Sequence, residues 1–120
     1  MAFTIKVPVG VVGAISPFNF PLNLVSHKVA PALAAGNAVV LKPASKTPIS
    51  ALKLAEILDK AGLPKGLLQV VVGSGSTVGN QMMKDERIAL YTFTGSAKVG
   101  LKLKQETGLN RLILELGNNS

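Results

Sequence analysis

Hydrophobic positions along the chain alternate between two spacings. Val9, Val11, Val12, Ala14 and Ile15 form a short, β-branched apolar run, punctuated by Gly10 and Gly13 and stopped by Pro17. Such a run predicts a strand buried on both faces, as in a parallel sheet. Leu22, Val25, Val29 and Leu33 then recur at helical spacing, which predicts one apolar stripe on a helix. That helix is expected to end at Ala35-Gly36, where glycine supplies a left-handed cap, and Pro31 inside it predicts a kink or an early stop.

The alternation continues. Ala38 to Leu41, closed by Lys42-Pro43, reads as a second buried strand, and Thr47-Pro48 as the N-cap and first position of a helix burying Leu52, Ala55 and Leu58 and stopping at Gly62. Leu67 to Val72 reads as a third strand leading into a glycine loop, Gly73 to Gly79, and a short helix carrying Val78 and Met82. Ile88 to Phe93 is the fourth strand. It exits through Thr94-Gly95-Ser96 into a helix with Val99 and Leu103 inward, ending near Gly108, and Arg111 to Leu116 is the fifth strand.

Crossovers of this length suit right-handed βαβ units. The predicted fold is α/β: one open, mainly parallel five-stranded sheet with helices on both faces. In such sheets ligands bind beyond the carboxyl ends of the strands, where the winding reverses. With the first strand central, Ser16 to Phe20 becomes the expected functional edge.

Composition narrows the chemistry. The 120 residues are 48% hydrophobic and 16% charged, enough for the core of a single domain. Cysteine is absent and histidine occurs once, which excludes disulfides, thiolate metal sites and a cysteine nucleophile from this chain. The net charge is +7, but the lysines are dispersed, aromatics make up 4%, and no zinc-finger or RNP-type motif occurs; solvated helix faces are expected rather than nucleic-acid contacts. Pro8, Gly10 and Gly13 interrupt the N-terminal apolar run, which reads as a strand rather than a signal peptide, and no stretch approaches the ~20 apolar residues of a membrane span. A cytoplasmic protein is expected.

Several residues have chemical potential. The loop Gly73-x-Gly75-x-x-x-Gly79 lies between a strand and a helix, the setting of a phosphate cradle, although a plain tight turn has the same pattern. Thr94-Gly95-Ser96 offers hydroxyls and amides to a phosphate, or Ser96 merely caps a helix. The second strand ends in Lys42-Pro43-Ala44-Ser45-Lys46 with no carboxylate, which suits a ribose 2′-phosphate better than a free 2′-hydroxyl. Asn19, between two prolines and two phenylalanines, is a rigid amide donor of the oxyanion-hole type or a turn residue. Glu115, the one acid on the fifth strand, is a candidate general base or a strand-end acid in water. His27 reads as structural.

Together these segments resemble the aldehyde dehydrogenase superfamily. VGVVGAISPFNFP is similar to its GxIxPWNFP segment, LKPASKTP to its Lys-Pro stretch, GSGSTVG to its glycine loop, FTGSAKVG to its FTGS segment and LELG to its glutamate motif. The resemblance implies that residues 1–120 are a single NAD(P)-binding, Rossmann-like domain, a truncated portion of a larger enzyme. It implies Asn19 as oxyanion stabiliser and Glu115 as general base. It places Ile15, Ser16, Pro17, Phe18, Lys42, Pro43, Ser45, Gly75, Gly79, Thr94, Gly95, Ser96, Val99, Leu116 and Gly117 along the cofactor.

Ser45 stands where NAD-preferring members often carry a glutamate, so NADP preference or dual use is expected. Phe18 replaces the family's usual tryptophan, and Asn118 stands at its second ELGG glycine. The implied reaction oxidises an aldehyde to a carboxylic acid through a cysteine thioester. That cysteine lies in a later domain, so this chain alone is expected to bind nucleotide at most and to need the missing catalytic domain, with homo-oligomerisation possible. The competing reading is a non-catalytic interaction or oligomerising fragment whose glycine loops serve folding only.

Overall fold

The computed structural model describes residues 1–117; Asn118 lies outside them. Five strands, β1 (Val11–Ile15), β2 (Ala38–Lys42), β3 (Leu68–Val70), β4 (Ile88–Gly95) and β5 (Arg111–Leu116), alternate with helices α1 (Asn23–Ala34), α2 (Ile49–Lys60), α3 (Asn80–Met83) and α4 (Ala97–Glu106). A wide π-type turn, Gly75–Gly79, leads into α3. All strand pairs are parallel, in the order β3-β2-β1-β4-β5. The chain winds outward from β1 to β3, then returns to β1's other side and winds outward again. The reversal falls between β1 and β4.

Side-chain alternation divides the sheet into two cores. On one face Val12, Ala14, Val39 and Leu41 pack with Val25 and Val29 of α1 and Ala51 of α2. On the other, Ile88, Tyr91 and Phe93 pack with Met82 and Met83 of α3 and Leu103 of α4. β1 is covered on both sides, as its β-branched run predicts.

One close approach sits at β1. A Cβ at Gly13 would stand 2.9 Å from the Tyr91 ring, so only glycine fits there. The Tyr91 ring fills that space, and its hydroxyl donates to the carbonyl of Met82.

Helix α1 runs through Pro31 to Ala34 instead of stopping. Proline removes one amide but its carbonyl still accepts from Ala35 N, and Gly36, at φ +81°, closes the helix as expected. Leu22, expected on the buried stripe, is exposed and precedes the first turn. Residues 1–9 are not strand; Asn37 fastens their end, its Oδ1 accepting from Val9 N and Gly10 N and its Nδ2 donating to Ala32 O.

Three further expectations are corrected. The Thr47 cap is absent: Pro48 occupies the N-cap, and Thr47 Oγ1 is buried without a partner among the described residues. On α2 Ala51 is buried and Leu54 and Leu58 pack partly buried against the core, so Leu58 faces inward as expected while Leu52 is 42% exposed; the docking face is turned toward Ala51 and Leu54. Val99 is 45% exposed while Gly100 and Leu103 turn inward. A Cβ at Gly100 would lie 2.6 Å from Leu116, so α4 rests on β5 through its backbone, which rotates Val99 outward.

Strand limits shift for reasons of pairing. β3 is an edge strand with one neighbour and shortens to three residues. β4 extends to Gly95 because β5 continues alongside it, pairing Gly95 with Leu116. No helix among the described residues is long and apolar enough to cross a membrane.

Candidate functional site

The winding reversal opens a cleft beyond the carboxyl ends of β1, β4 and β5. Pro17, Phe18 and Asn19 reach it from the β1–α1 loop, Thr94 and Gly95 from the end of β4, and Glu115, Leu116 and Gly117 from the end of β5; its volume is about 500 Å³. All eight are residues singled out in the sequence. Asn19 and Glu115 are both exposed to the cleft. An amide donor and a carboxylate therefore line one cavity on strand ends fixed by the sheet.

Ser96 begins α4 as its N-cap, its Oγ accepting from Val99 N at 3.4 Å. The helix thus starts at the end of β4, leaving early backbone amides as anion donors. Of its two readings, the helix cap is the one the geometry shows.

The β2 side of the edge is built differently. Lys42 is buried, and its Nζ donates to Pro43 O at 3.1 Å while its stem passes Gly79. Burial holds its pKa below the ordinary lysine value. Ser45 Oγ donates to Gly73 O at 2.6 Å, tying the loop after β2 to the glycine loop. Ser74 caps that loop by accepting from Thr77 N. A Cβ at Gly73 would clash with Val78 at 2.4 Å, whereas nothing stands within 4 Å of one at Gly75. The first glycine is demanded by the fold; Gly75 leaves open backbone.

Ile15 ends β1 between Lys42 and Phe93. Ser16 follows, its amide donating to Lys42 O at 3.2 Å, and its hydroxyl is buried without a partner among the described residues. A buried hydroxyl with unused hydrogen-bonding capacity is uncommon. It lies on the same strand edge as the other candidates.

The sequence reading passed over Lys28. This α1 lysine is buried under the sheet, and its Nζ donates to Thr94 Oγ1 at 2.7 Å and to Thr92 Oγ1 at 3.4 Å. Thr94 Oγ1 in turn donates to Glu115 Oε2 at 3.1 Å. Burial lowers the Lys28 pKa, and the Glu115 charge opposes that shift. A lysine in the stripe formed by Val25, Val29 and Ala32 was the available signal, since cations on buried helix faces are rare without a partner.

Glu115 also borders a second, larger hollow. Between α1 and β5 one sheet face carries no helix, and a trough of about 720 Å³ runs over Leu90, Thr92 and Ile113, flanked by His27, Arg111 and the N-terminal Ile5 and Val7. His27 is exposed there. Among the described residues no cluster of three metal-ligating side chains occurs.

Comparison with known proteins extends this picture. The model of the aldehyde dehydrogenase family matches residues 1–120. The 3-sulfolactaldehyde dehydrogenase of Priestia aryabhattai is 60% identical over 120 residues, covering 100% of this chain and 25% of the relative. The fold is similar to an NADP-dependent glyceraldehyde-3-phosphate dehydrogenase from Bacillus halodurans complexed with NADP, at TM-score 0.92 and 44% identity, covering 95% of this chain and 24% of that one. It is equally similar, at TM-score 0.92 and 42% identity over 95% of this chain and 24% of the other, to an aldehyde dehydrogenase from Pseudomonas syringae complexed with NAD+ and octanal. The chain thus spans about a quarter of the length of the curated relatives it matches.

Proposed function

The chain belongs to the aldehyde dehydrogenase family, and on that premise we propose that it forms the dinucleotide-binding part of an aldehyde-oxidising enzyme and accepts NADP. The observation that carries this reading is the single cleft at the β1/β4 reversal that gathers Asn19, Thr94, Gly95 and Glu115. It is where a parallel α/β sheet binds ligands.

The residues fit a nicotinamide dinucleotide. The open backbone at Gly75, the unpartnered Ser16 hydroxyl and the α4 N-terminus supply space and donors without a blocking side chain. Lys42, Pro43 and Ser45 would hold the adenosine end, Gly75 and Gly79 the adjoining backbone, and Gly95, Ser96 and Val99 the pyrophosphate and nicotinamide half. Ile15, Ser16, Pro17 and Phe18 would form the floor between them, with Leu116 and Gly117 beside the nicotinamide. When bound, the cofactor supplies a hydride acceptor.

The chain's own groups do the rest. The Asn19 amide donates to the oxygen of an aldehyde carbonyl as charge develops on it. Glu115 takes a proton from water attacking the acyl carbon. Thr94 presents its proton to Glu115 because its oxygen already accepts from Lys28; the carboxylate is held by a donor backed by a cation. With no cysteine in the sequence, the thiolate nucleophile belongs to another part of the enzyme.

Preference for NADP rests on Ser45, which adds no carboxylate near the ribose. Calorimetric titration of the chain with each cofactor tests it: tighter NADP binding supports the reading, and equal or tighter NAD binding overturns the preference. A second reading, an interaction or oligomerising fragment, draws on the uncovered trough with its exposed Ile113. Concentration-dependent self-association without nucleotide binding is its signature.

A further inference from the structure

The turn that opens α3 is wider than an α-helix. Gly79 N donates to Ser74 O at 3.3 Å, five residues back, and the Asn80 amide is shared between Gly75 O and Thr77 O. In an α-helix that amide would bond to Ser76 O, four residues back. Here the Asn80 side chain takes the bypassed carbonyl, its Nδ2 donating to Ser76 O at 2.7 Å. One residue thus satisfies the wide register from both its backbone and its side chain. Single turns of this width are rare and cluster at functional sites.

The Asn80 side chain is aimed from outside the turn. Lys102 Nζ, on α4, donates to Asn80 Oδ1 at 2.9 Å. With the oxygen held by an ammonium, the Nδ2 donors are left for the Ser76 carbonyl. Glu106 lies one turn further along α4 and borders the same hollow as Asn80 and Lys102, yet among the described residues it forms no ion pair with that lysine. Lys102 engages a neutral amide on the next helix instead.

We propose that Asn80 and Lys102 are positioning residues of the dinucleotide site, holding the glycine loop in its wide register. That register has two visible consequences. Gly79 is buried against the stem of Lys42, a Cβ there standing 3.9 Å from Lys42 Cδ, and Gly75 presents backbone with nothing within 4 Å of its Cβ position. Tightening the turn to an α-helix would rotate the loop relative to α3 and turn both glycines out of these places. The role rests on the dinucleotide reading of the cleft and adds to it two side chains that lie in none of the sequence motifs and act only through the loop.

The test has two readouts, taken on the chain and on its Asn80→Ala, Lys102→Met and Lys102→Arg variants. Neither side chain belongs to the core, so the variants are expected to fold. Long-range HNCO spectra, which detect couplings across hydrogen bonds, report the register directly: the residue-80 amide is expected to couple to the Gly75 carbonyl in the unmodified chain and to Ser76 in Asn80→Ala. Calorimetric titration is expected to find NADP and NAD weakened alike, about tenfold by Asn80→Ala and about threefold by Lys102→Met, with Lys102→Arg recovering most of the second loss and the double variant no weaker than Asn80→Ala. A side chain that only stabilised the fold would lower the melting temperature without moving the coupling. Coupling that stays on Gly75 in Asn80→Ala, or that moves while both affinities hold, overturns the positioning role and leaves the cleft reading intact. Failure of the unmodified chain to bind either dinucleotide overturns the cleft reading, and the role with it.

Discussion

Lys28 Nζ lies 2.7 Å from Thr94 Oγ1, joining the first helix to the end of the fourth strand beneath the cleft. The pair aligns the Thr94 proton on Glu115. A buried lysine is costly to keep charged, and burial lowers its pKa accordingly. The sheet tolerates this cost at the position where it orients the candidate base.

Replacing Lys28 by methionine separates the two effects. Removing a desolvated cation in favour of an apolar side chain of similar length is expected to leave stability unchanged or raise it by about 1–2 kcal/mol. Lys28 is a base whose folded pKa is depressed, so its penalty is present below that pKa and fades as pH rises toward 10.5. The gain from Lys28→Met should therefore shrink in alkaline melts. In the assembled enzyme the same variant should slow the Glu115-dependent hydrolytic step by about 10-fold or more, read in single-turnover kinetics.

Asn19→Ala and Glu115→Gln are expected to fold normally, both side chains being exposed. In the assembled enzyme Asn19→Ala should reduce the acylation rate by about 10²–10³, the usual cost of one oxyanion donor. Glu115→Gln should leave acylation nearly intact and let the acyl-enzyme accumulate, visible as a burst without turnover.

Tyr91 sets an alkaline limit on stability. Burial, with a smaller contribution from Asp85, pushes its pKa up from 10.0 to about 12. The unfolded chain releases this proton first, so the stability it confers is complete below about pH 10 and is lost as pH climbs toward about 12. Tyr91→Phe should cost about 1 kcal/mol at neutral pH through the hydrogen bond to Met82 and narrow the gap to wild type above pH 10. Thermal melts of both proteins across that range check the sign.

Gly13→Ala tests the close approach at the centre of the sheet. The added methyl would stand 2.9 Å from the Tyr91 ring, which is itself buried and anchored. A loss of about 1–3 kcal/mol is expected in denaturant melts. The double variant Gly13→Ala with Tyr91→Leu should recover part of it.

Much of this architecture was legible because β1 is a continuous apolar run with turn residues at its ends and β5 an apolar stretch after Arg111, interrupted only by Glu115; β5 has the predicted limits. Cleft residues were legible as strand ends, since the winding alone assigns Asn19 and Thr94 to one edge. Helix rotation was not. On α2 Leu52 and Leu54 belong to competing stripes, and on α4 the contact between Gly100 and Leu116 is invisible until β5 is in place. Lys28 escaped notice because charge counting placed it among solvated lysines, whereas its phase with Val25 and Val29 buries it. The bond from Ser45 to Gly73 spans 28 residues and depends on two loops meeting in space.

On this reading a nicotinamide dinucleotide binds at the carboxyl edge of β1 and β4. A two-dimensional amide NMR spectrum of the chain, titrated with NADP and separately with NAD, tests it most directly. Saturable shifts at Ser16, Ser45, Gly95, Ser96 and Val99, larger with NADP, are predicted. A dispersed spectrum that does not respond at these residues, or shifts confined to the trough around Ile113 and Arg111, would contradict the claim.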